Sequence, residues 1–304
     1  MGTPEFAVPS LRILIENKYN VVTVVTVPDK KKGRGQLLSE SAVKLYAEES
    51  NLNILQPVNL KDIEFTEKIR SLDPDIIIVV AFRILPKEIY SIPRSGSFNL
   101  HASLLPKYRG AAPINWAIIN GETETGVTSF FLKEKVDTGN IIIQKKTAIE
   151  PEDNAGTLHD KIAGLGAEAV LETVRLIESG NVSVSEQDNS SATPAPKIFR
   201  EDCQINWEQE ALKIHNFIRG LSPYPGAYSY LDSKIVKISK TNMTELKSSG
   251  IPGKILIENK KLYVTSEDYL IEILELQPEG KKRISALDFI NGADKTGELI
   301  FNRK

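Results

Sequence analysis

The chain has 304 residues, long enough for two domains, and its 41% hydrophobic and 26% charged residues are ordinary for a soluble globular protein. No apolar run approaches the roughly 18 residues of a membrane span, and the N-terminus has no signal-peptide pattern, which points to the cytoplasm and to no membrane partner. One cysteine, Cys203, excludes an internal disulfide, three histidines show no metal-ligand spacing, and a formal net charge of -2 requires any nucleic acid to be bound by local basic patches.

Pro4 to Asn17 reads as a helix with Phe6, Leu11, Leu14 and Ile15 inward, entered through a Gly2-Thr3 turn whose amides suit an anion or, more commonly, water or a cap. Asn20 to Val27 follows as a valine-rich strand, and Pro28 to Ser39 as a loop holding Lys30, Lys31, Lys32 and Arg34. Gly33 and Gly35 in that loop lack the spacing of a phosphate cradle, and a solvated charge run is the usual explanation of such a stretch. A helix over Ser41 to Ser50, a strand near Asn53 to Leu55, a helix over Leu60 to Leu72 and the β-branched run Asp75 to Ala81 complete an alternation. That alternation predicts a doubly wound, mostly parallel sheet of Rossmann-like type.

Ser97 to His101 is a short strand, and its period of two puts Asn99 and His101 on one face at the carboxyl end, where open α/β sheets bind ligands. A satisfied structural Asn and a buried His would explain the pair alone. After them come a rigid turn, Ser103-Leu104-Leu105-Pro106, a basic loop, Lys107 to Gly110, and a helix over Ala112 to Asn120. Val127 to Leu132 and Ile141 to Thr147 read as paired strands joined through Asp137, and turn aspartates commonly cap local amides. A helix over Ala155 to Glu178 closes the first domain, with His159 as a packing or surface residue.

Ser185 to Pro196 is polar and reads as a linker. Beyond it lie a helix over Glu208 to Arg219 and short strands at Tyr228 to Leu231, Lys234 to Ile238, Lys254 to Ile257, Lys261 to Val264 and Leu270 to Leu276, a pattern that suggests a small barrel. His215 has no partner identifiable from sequence, and Cys203 is most simply an inert thiol. The organisation expected is a catalytic domain over 1–184, a linker over 185–202 and a C-terminal domain over 203–304.

The stretch FNLHASLLPKYRGAAPINWAIINGETETGVT resembles the signature of the folate-dependent formyltransferases. Agreement extends to Gly2-Thr-Pro-Glu-Phe-Ala-Val-Pro9, Pro28-Asp29 with Gly33-Arg-Gly35, and Gly220-Leu-Ser-Pro-Tyr-Pro-Gly226, so it covers nearly the whole chain. The resemblance implies formyl transfer from 10-formyltetrahydrofolate to the α-amino group of an initiator methionyl-tRNA, by a monomer that needs no metal. It implies a catalytic trio of Asn99, His101 and Asp137, the last in the Asp-Thr-Gly turn, and folate packing against Ser103, Leu104, Leu105 and Pro106. It further implies that Lys30, Lys31, Lys32 and Arg34 form a tRNA-binding arm, mobile until the acceptor stem arrives, and that the C-terminal barrel is OB-like. Two departures stand out. The family's first strand enters the Gly2-Thr3 turn, where Met1 stands here, so that strand is expected upstream; and Ala81 to Pro86 lacks a glycine and one residue found in many members.

The residue types fit that chemistry. A formyl carbon under attack by an amine passes through an oxyanion, which a neutral amide donor such as Asn99 stabilises. The amine must lose a proton near neutral pH, as His101 allows, and a carboxylate such as Asp137 favours the charged ring. Competing readings are an amino sugar nucleotide as acceptor, water as acceptor, a one-domain glycinamide ribonucleotide transformylase, and a non-catalytic RNA-binding module. Arg109-Gly-Ala-Ala-Pro113 and the basic loop favour tRNA over the sugar, the C-terminal strands disfavour the one-domain enzyme, and the intact trio disfavours the module.

Overall fold

The computed structural model describes residues 1–32, 37–292 and 299–302. They divide into two compact units, one made of Met1–Gly110, Thr125–Thr147 and His159–Pro194, the other of Ala111–Glu124, Ala148–Leu158 and Ala195–Lys304.

Besides the two-residue strand Arg109–Gly110, the strands of the first unit are β1 (Val24–Val25), β2 (Lys30–Lys32), β3 (Leu37–Ser39), β4 (Ile54–Leu55), β5 (Ile77–Val80), β6 (Ser97–His101), β7 (Glu124–Phe131) and β8 (Ile141–Ala148). The main sheet has the order β5-β6-β7-β8, with β6 parallel to β5 and antiparallel to β7. The parallel pair β1-β4 is a separate ladder, and Met1 and Gly2 stand between the two. Gly2 N–H donates to the Val25 carbonyl at 3.0 Å and Val80 N–H to the Met1 carbonyl at 2.9 Å. Beside them a cavity of about 750 Å³ is lined by Val22, Val24, Leu14, Ile76, Ile78 and Val174 among others. The strand expected over Asn20 to Val27 shrinks to Val24–Val25, the two residues that pair with Ile54 and Leu55.

Helices cover the sheet for legible reasons. Ser41 and Asp62 cap Ala42–Glu49 and Ile63–Ser71 by accepting the amides of Lys44 and Glu64. Phe65 and Ile69 join Val25, Ile77, Val79 and Ile89 in one buried cluster. Ala155–Glu178 turns Ile162, Val170 and Val174 inward, and at Gly166 a side chain would come within 2.7 Å of Leu100 Cδ2, so glycine lets this helix close on β6.

The basic stretch is not a featureless loop: β2 and β3 pair antiparallel, Lys30 opposite Ser39 and Lys31 opposite Leu38. Lys44 Nζ holds the hairpin's base, bonding Asp29 Oδ2 at 2.6 Å on one side and the Glu40 carboxylate on the other. Residues 33–36, including Arg34, lie outside the described residues. Ala81, the residue just after β5, takes φ +48, a conformation that glycine adopts at no steric cost.

The second unit is an antiparallel sheet of β9 (Ala227–Leu231), β10 (Lys234–Lys247), β11 (Ile255–Glu258), β12 (Lys261–Val264), β13 (Tyr269–Pro278) and β14 (Ile284–Ser285), in the order β9-β10-β13-β12-β11 with β14 on β13. The helix Ala211–Gly220 buries Ile214 and Ile218 against Ile238, Leu262, Ile271 and Ile273, with Trp207 stacked on Phe301 at 5.6 Å. His215 has a partner that the sequence did not reveal, since its Nδ1 lies 2.8 Å from Thr241 Oγ1. Both outer strands meet the segment Leu299–Asn302: Tyr230 and Asn302 exchange backbone bonds of 3.2 and 2.9 Å, and Ile255 N–H donates to Leu299 at 2.9 Å.

Candidate active site

Strand β6 alternates as expected. Phe98 and Leu100 are buried under the helix Ala155–Glu178 and its neighbours, which leaves Asn99, half-buried, and His101 on the opposite face. The His101 side chain is only 7% exposed. Its Nε2 lies 2.8 Å from the Tyr108 carbonyl, which can only accept, so Nε2 carries the proton and Nδ1 is the free basic atom of the neutral ring. Nδ1 faces Asp137 Oδ2 across 4.0 Å, too far for a hydrogen bond and close enough for a strong charge interaction once the ring is protonated. The ring is thus oriented by a backbone carbonyl of the basic loop, with Asp137 as its electrostatic neighbour.

Asp137 itself is held from several sides. Its backbone takes φ +54, rare for a residue with a side chain, and Oδ2 accepts from Gly110 N–H at 3.0 Å. Two residues on, Gly139 passes so close to β7 that a Cβ there would sit 1.6 Å from the Phe131 carbonyl oxygen. Gln187, nearly buried, donates through Nε2 to the carbonyls of Asp137 and Gly139 at 3.0 and 2.8 Å. Arg109 anchors Gln187 in turn, with Nε and Nη2 at 3.1 and 2.6 Å from Oε1.

The turn after His101 divides in two. Ser103 and Leu105 are buried: Ser103 Oγ donates to the Lys107 carbonyl at 2.7 Å, and Leu105 N–H donates to Thr128 Oγ1 at 3.0 Å. Gln144 Nε2 adds a bond of 2.8 Å to the Leu105 carbonyl. Leu104 and Pro106 are left as the half-exposed apolar members. The structure thus gathers Asn99, His101 and Asp137 in one unit and adds Tyr108, Thr128, Gln144 and Gln187, which the sequence reading missed, and Arg109, which it singled out only as a feature favouring tRNA. Lys30 is exposed on the hairpin, and His159 packs edge-on against Phe6, centroids 5.4 Å apart. Among the described residues no group of three or more His, Cys, Asp or Glu side chains is gathered to hold a metal, and no helix is long and apolar enough to cross a membrane.

The arrangement offers a neutral donor, a free imidazole nitrogen facing a carboxylate, and an apolar ledge, which together suit acyl transfer to an amine.

Comparisons with known proteins agree. Residues 1–174 match the family model described as formyl transferase, and residues 197–294 match that of the formyl transferase C-terminal domain. A protein of Flavobacterium johnsoniae named methionyl-tRNA formyltransferase is 48% identical over 297 residues, covering 96% of this chain and 94% of that protein. One of the same name from Caldanaerobacter subterraneus subsp. tengcongensis is 45% identical, covering 96% and 95%. Among solved structures, an N-formyltransferase from Helicobacter canadensis in complex with folinic acid and dTDP-3-aminofucose superposes with a TM-score of 0.68 at 25% identity, over 91% of this chain and 97% of that one. A glycinamide ribonucleotide transformylase from Symbiobacterium toebii shares the fold at 17% identity and a TM-score of 0.51, over 62% of this chain and 92% of that one.

Proposed function

We propose, from the premise that this chain belongs to the formyl transferase family, that it moves a formyl group from 10-formyltetrahydrofolate to the α-amino group of initiator methionyl-tRNA, in the cytoplasm, for the start of translation. The observation that carries the acceptor is the 48% identity, over nearly the full length of both chains, to a protein named for that substrate. The amino-sugar reading has the Helicobacter canadensis structure in its favour, at 25% identity. That is a more distant likeness, which supports the folate donor more than the sugar acceptor.

In this reading the Asn99 amide donates to the formyl oxygen as it becomes an oxyanion. The attacking amine enters near His101, and Nδ1, left free by the Tyr108 bond, takes its proton. The imidazolium so formed faces the Asp137 carboxylate, which stabilises it. That proton is then available to the folate nitrogen as the C–N bond to it breaks. Leu104 and Pro106 supply the apolar side of the folate site, and the buried Ser103 and Leu105 hold them in place. The basic residues Lys30, Lys31, Lys32 and Arg34 meet tRNA phosphates. The antiparallel unit acts as an OB-like barrel on the tRNA, a reading supported by the bonds of Leu299–Asn302 to both outer strands. The domain reading, 1–184 catalytic and 203–304 tRNA-binding with 185–202 between, goes with it.

An acceptor series tests the proposal. With 10-formyltetrahydrofolate as donor, methionyl-tRNA should consume it rapidly, whereas an amino sugar nucleotide or no acceptor should leave it intact; consumption with the sugar alone would replace this reading with the other.

A further inference from the structure

We infer that Gln187 is a positioning residue for this reaction, holding the Asp137 turn so that its carboxylate faces His101; the inference rests on the part assigned to Asp137 above. The hydrogen bonds form a closed ring. Gln187 Nε2 donates to the carbonyl of Asp137 at 3.0 Å and to that of Gly139 at 2.8 Å. Gln187 Oε1 accepts two bonds from the Arg109 guanidinium, at 3.1 and 2.6 Å. Arg109 precedes Gly110, whose N–H donates to Asp137 Oδ2 at 3.0 Å and completes the circuit.

Two features make the ring more than a local tie. Every donor and both acceptor positions of the Gln187 amide are used, in a residue that is 9% exposed, so the side chain has one orientation. Asp137 sits at φ +54, and a residue with a side chain persists in that conformation only where its surroundings over-determine it. Gln187 supplies that determination at the backbone of the turn, and Gly110 supplies it at the carboxylate. Asn189, which accepts from Arg109 Nη2 at 2.9 Å, fixes the guanidinium from the same segment as Gln187. The polar stretch after the helix Ala155–Glu178 therefore takes part in the site.

The chemistry of the two amide ends separates positioning from bulk. Gln187→Glu keeps an oxygen for Arg109 but turns a donor toward two carbonyls into an acceptor, and Gln187→Leu removes both functions. Each should lower kcat for methionyl-tRNA formylation by about 10- to 100-fold, the scale on which a displacement of about 1 Å acts on a catalytic group. KM for the folate should stay near the wild-type value. In an Asp137→Asn background Gln187→Leu should lower kcat no further, since it acts through a carboxylate already gone. Wild-type turnover in Gln187→Glu would overturn the donor role. An equal loss from Gln187→Leu in both backgrounds would overturn the link to Asp137 and leave a purely structural part. If Asp137→Asn alone were fully active, the catalytic reading of Asp137 would fall, and this inference with it. Gln187→Glu, whose partner Arg109 keeps its bond, serves where the leucine variant does not fold.

Discussion

His215 should make the second unit lose stability as the pH falls from 6.5 toward 4. Burial, helped by the nearby Arg219 and only partly opposed by Glu152, pushes its pKa from the ordinary 6.5 down to about 4. A base whose folded pKa is depressed binds fewer protons folded than unfolded between those two values, so stability rises with pH across that window. Its contribution is complete above about pH 6.5, declines as the pH falls, and changes no further below about 4. At about 1.4 kcal/mol per pH unit, the gap between 6.5 and about 4 is worth about 3 kcal/mol. Physically, the neutral ring is bonded to Thr241 Oγ1, and protonation would leave a cation buried beside Arg219. Carboxylates titrate in the same range, so the quantity to measure is a difference. Urea unfolding, followed by the fluorescence of Trp116 and Trp207, both in the second unit, should be recorded from pH 7 to pH 4 for the wild type and for His215→Gln. The wild type should lose about 3 kcal/mol more than the variant over that range. Parallel curves would refute the argument.

Three other outcomes follow from the site. His101→Ala and Asp137→Asn should each lower turnover by about 10²-fold or more, and the double variant should be little worse than the worse single one, as steady-state kinetics will show. Replacing Lys31, Lys32 and Arg34 together by Ala should raise KM for methionyl-tRNA and flatten its salt dependence while KM for the folate stays put; a variant that also loses folate binding would point to misfolding. Gly139→Ala places a Cβ where the Phe131 carbonyl oxygen already lies, 1.6 Å away, so the turn must move; turnover should fall at least as far as in Asp137→Asn, and calorimetric unfolding should show a lower Tm as well.

How much of this was legible depended on whether a feature is set by residue type or by the fold. Ser97–His101 and Lys261–Val264 were read at their observed limits, because alternation and the flanking turn residues bound them. Ala155–Glu178 was read likewise from its apolar spacing. Asn99, His101 and Asp137 were singled out through the family resemblance, since an Asn-His pair or a turn aspartate is not distinctive alone; the fold then brings His101 and Asp137 within 4.0 Å of each other. Tyr108 contributes a backbone carbonyl to His101, and any residue type has one, so nothing in the sequence marked it. Gln187 lay in a polar stretch that resembled a linker, and its role arises only when the chain returns beside Asp137 from 50 residues away. Ser103 was expected, by resemblance, to pack against the folate; that it is buried with its hydroxyl on the Lys107 carbonyl depends on how the turn folds and not on its residue type. The hairpin of β2 and β3 escaped notice because three consecutive lysines lack the alternation of a strand.

The central claim is that this chain places a formyl group on the amine of methionine carried by tRNA. The most direct test incubates the purified chain with 10-formyltetrahydrofolate and methionyl-tRNA, hydrolyses the ester, and identifies the released amino acid by mass spectrometry. Release of N-formylmethionine, lost in His101→Ala, is the result expected. Unmodified methionine, from a chain that consumes the formyl donor all the same, would contradict the account.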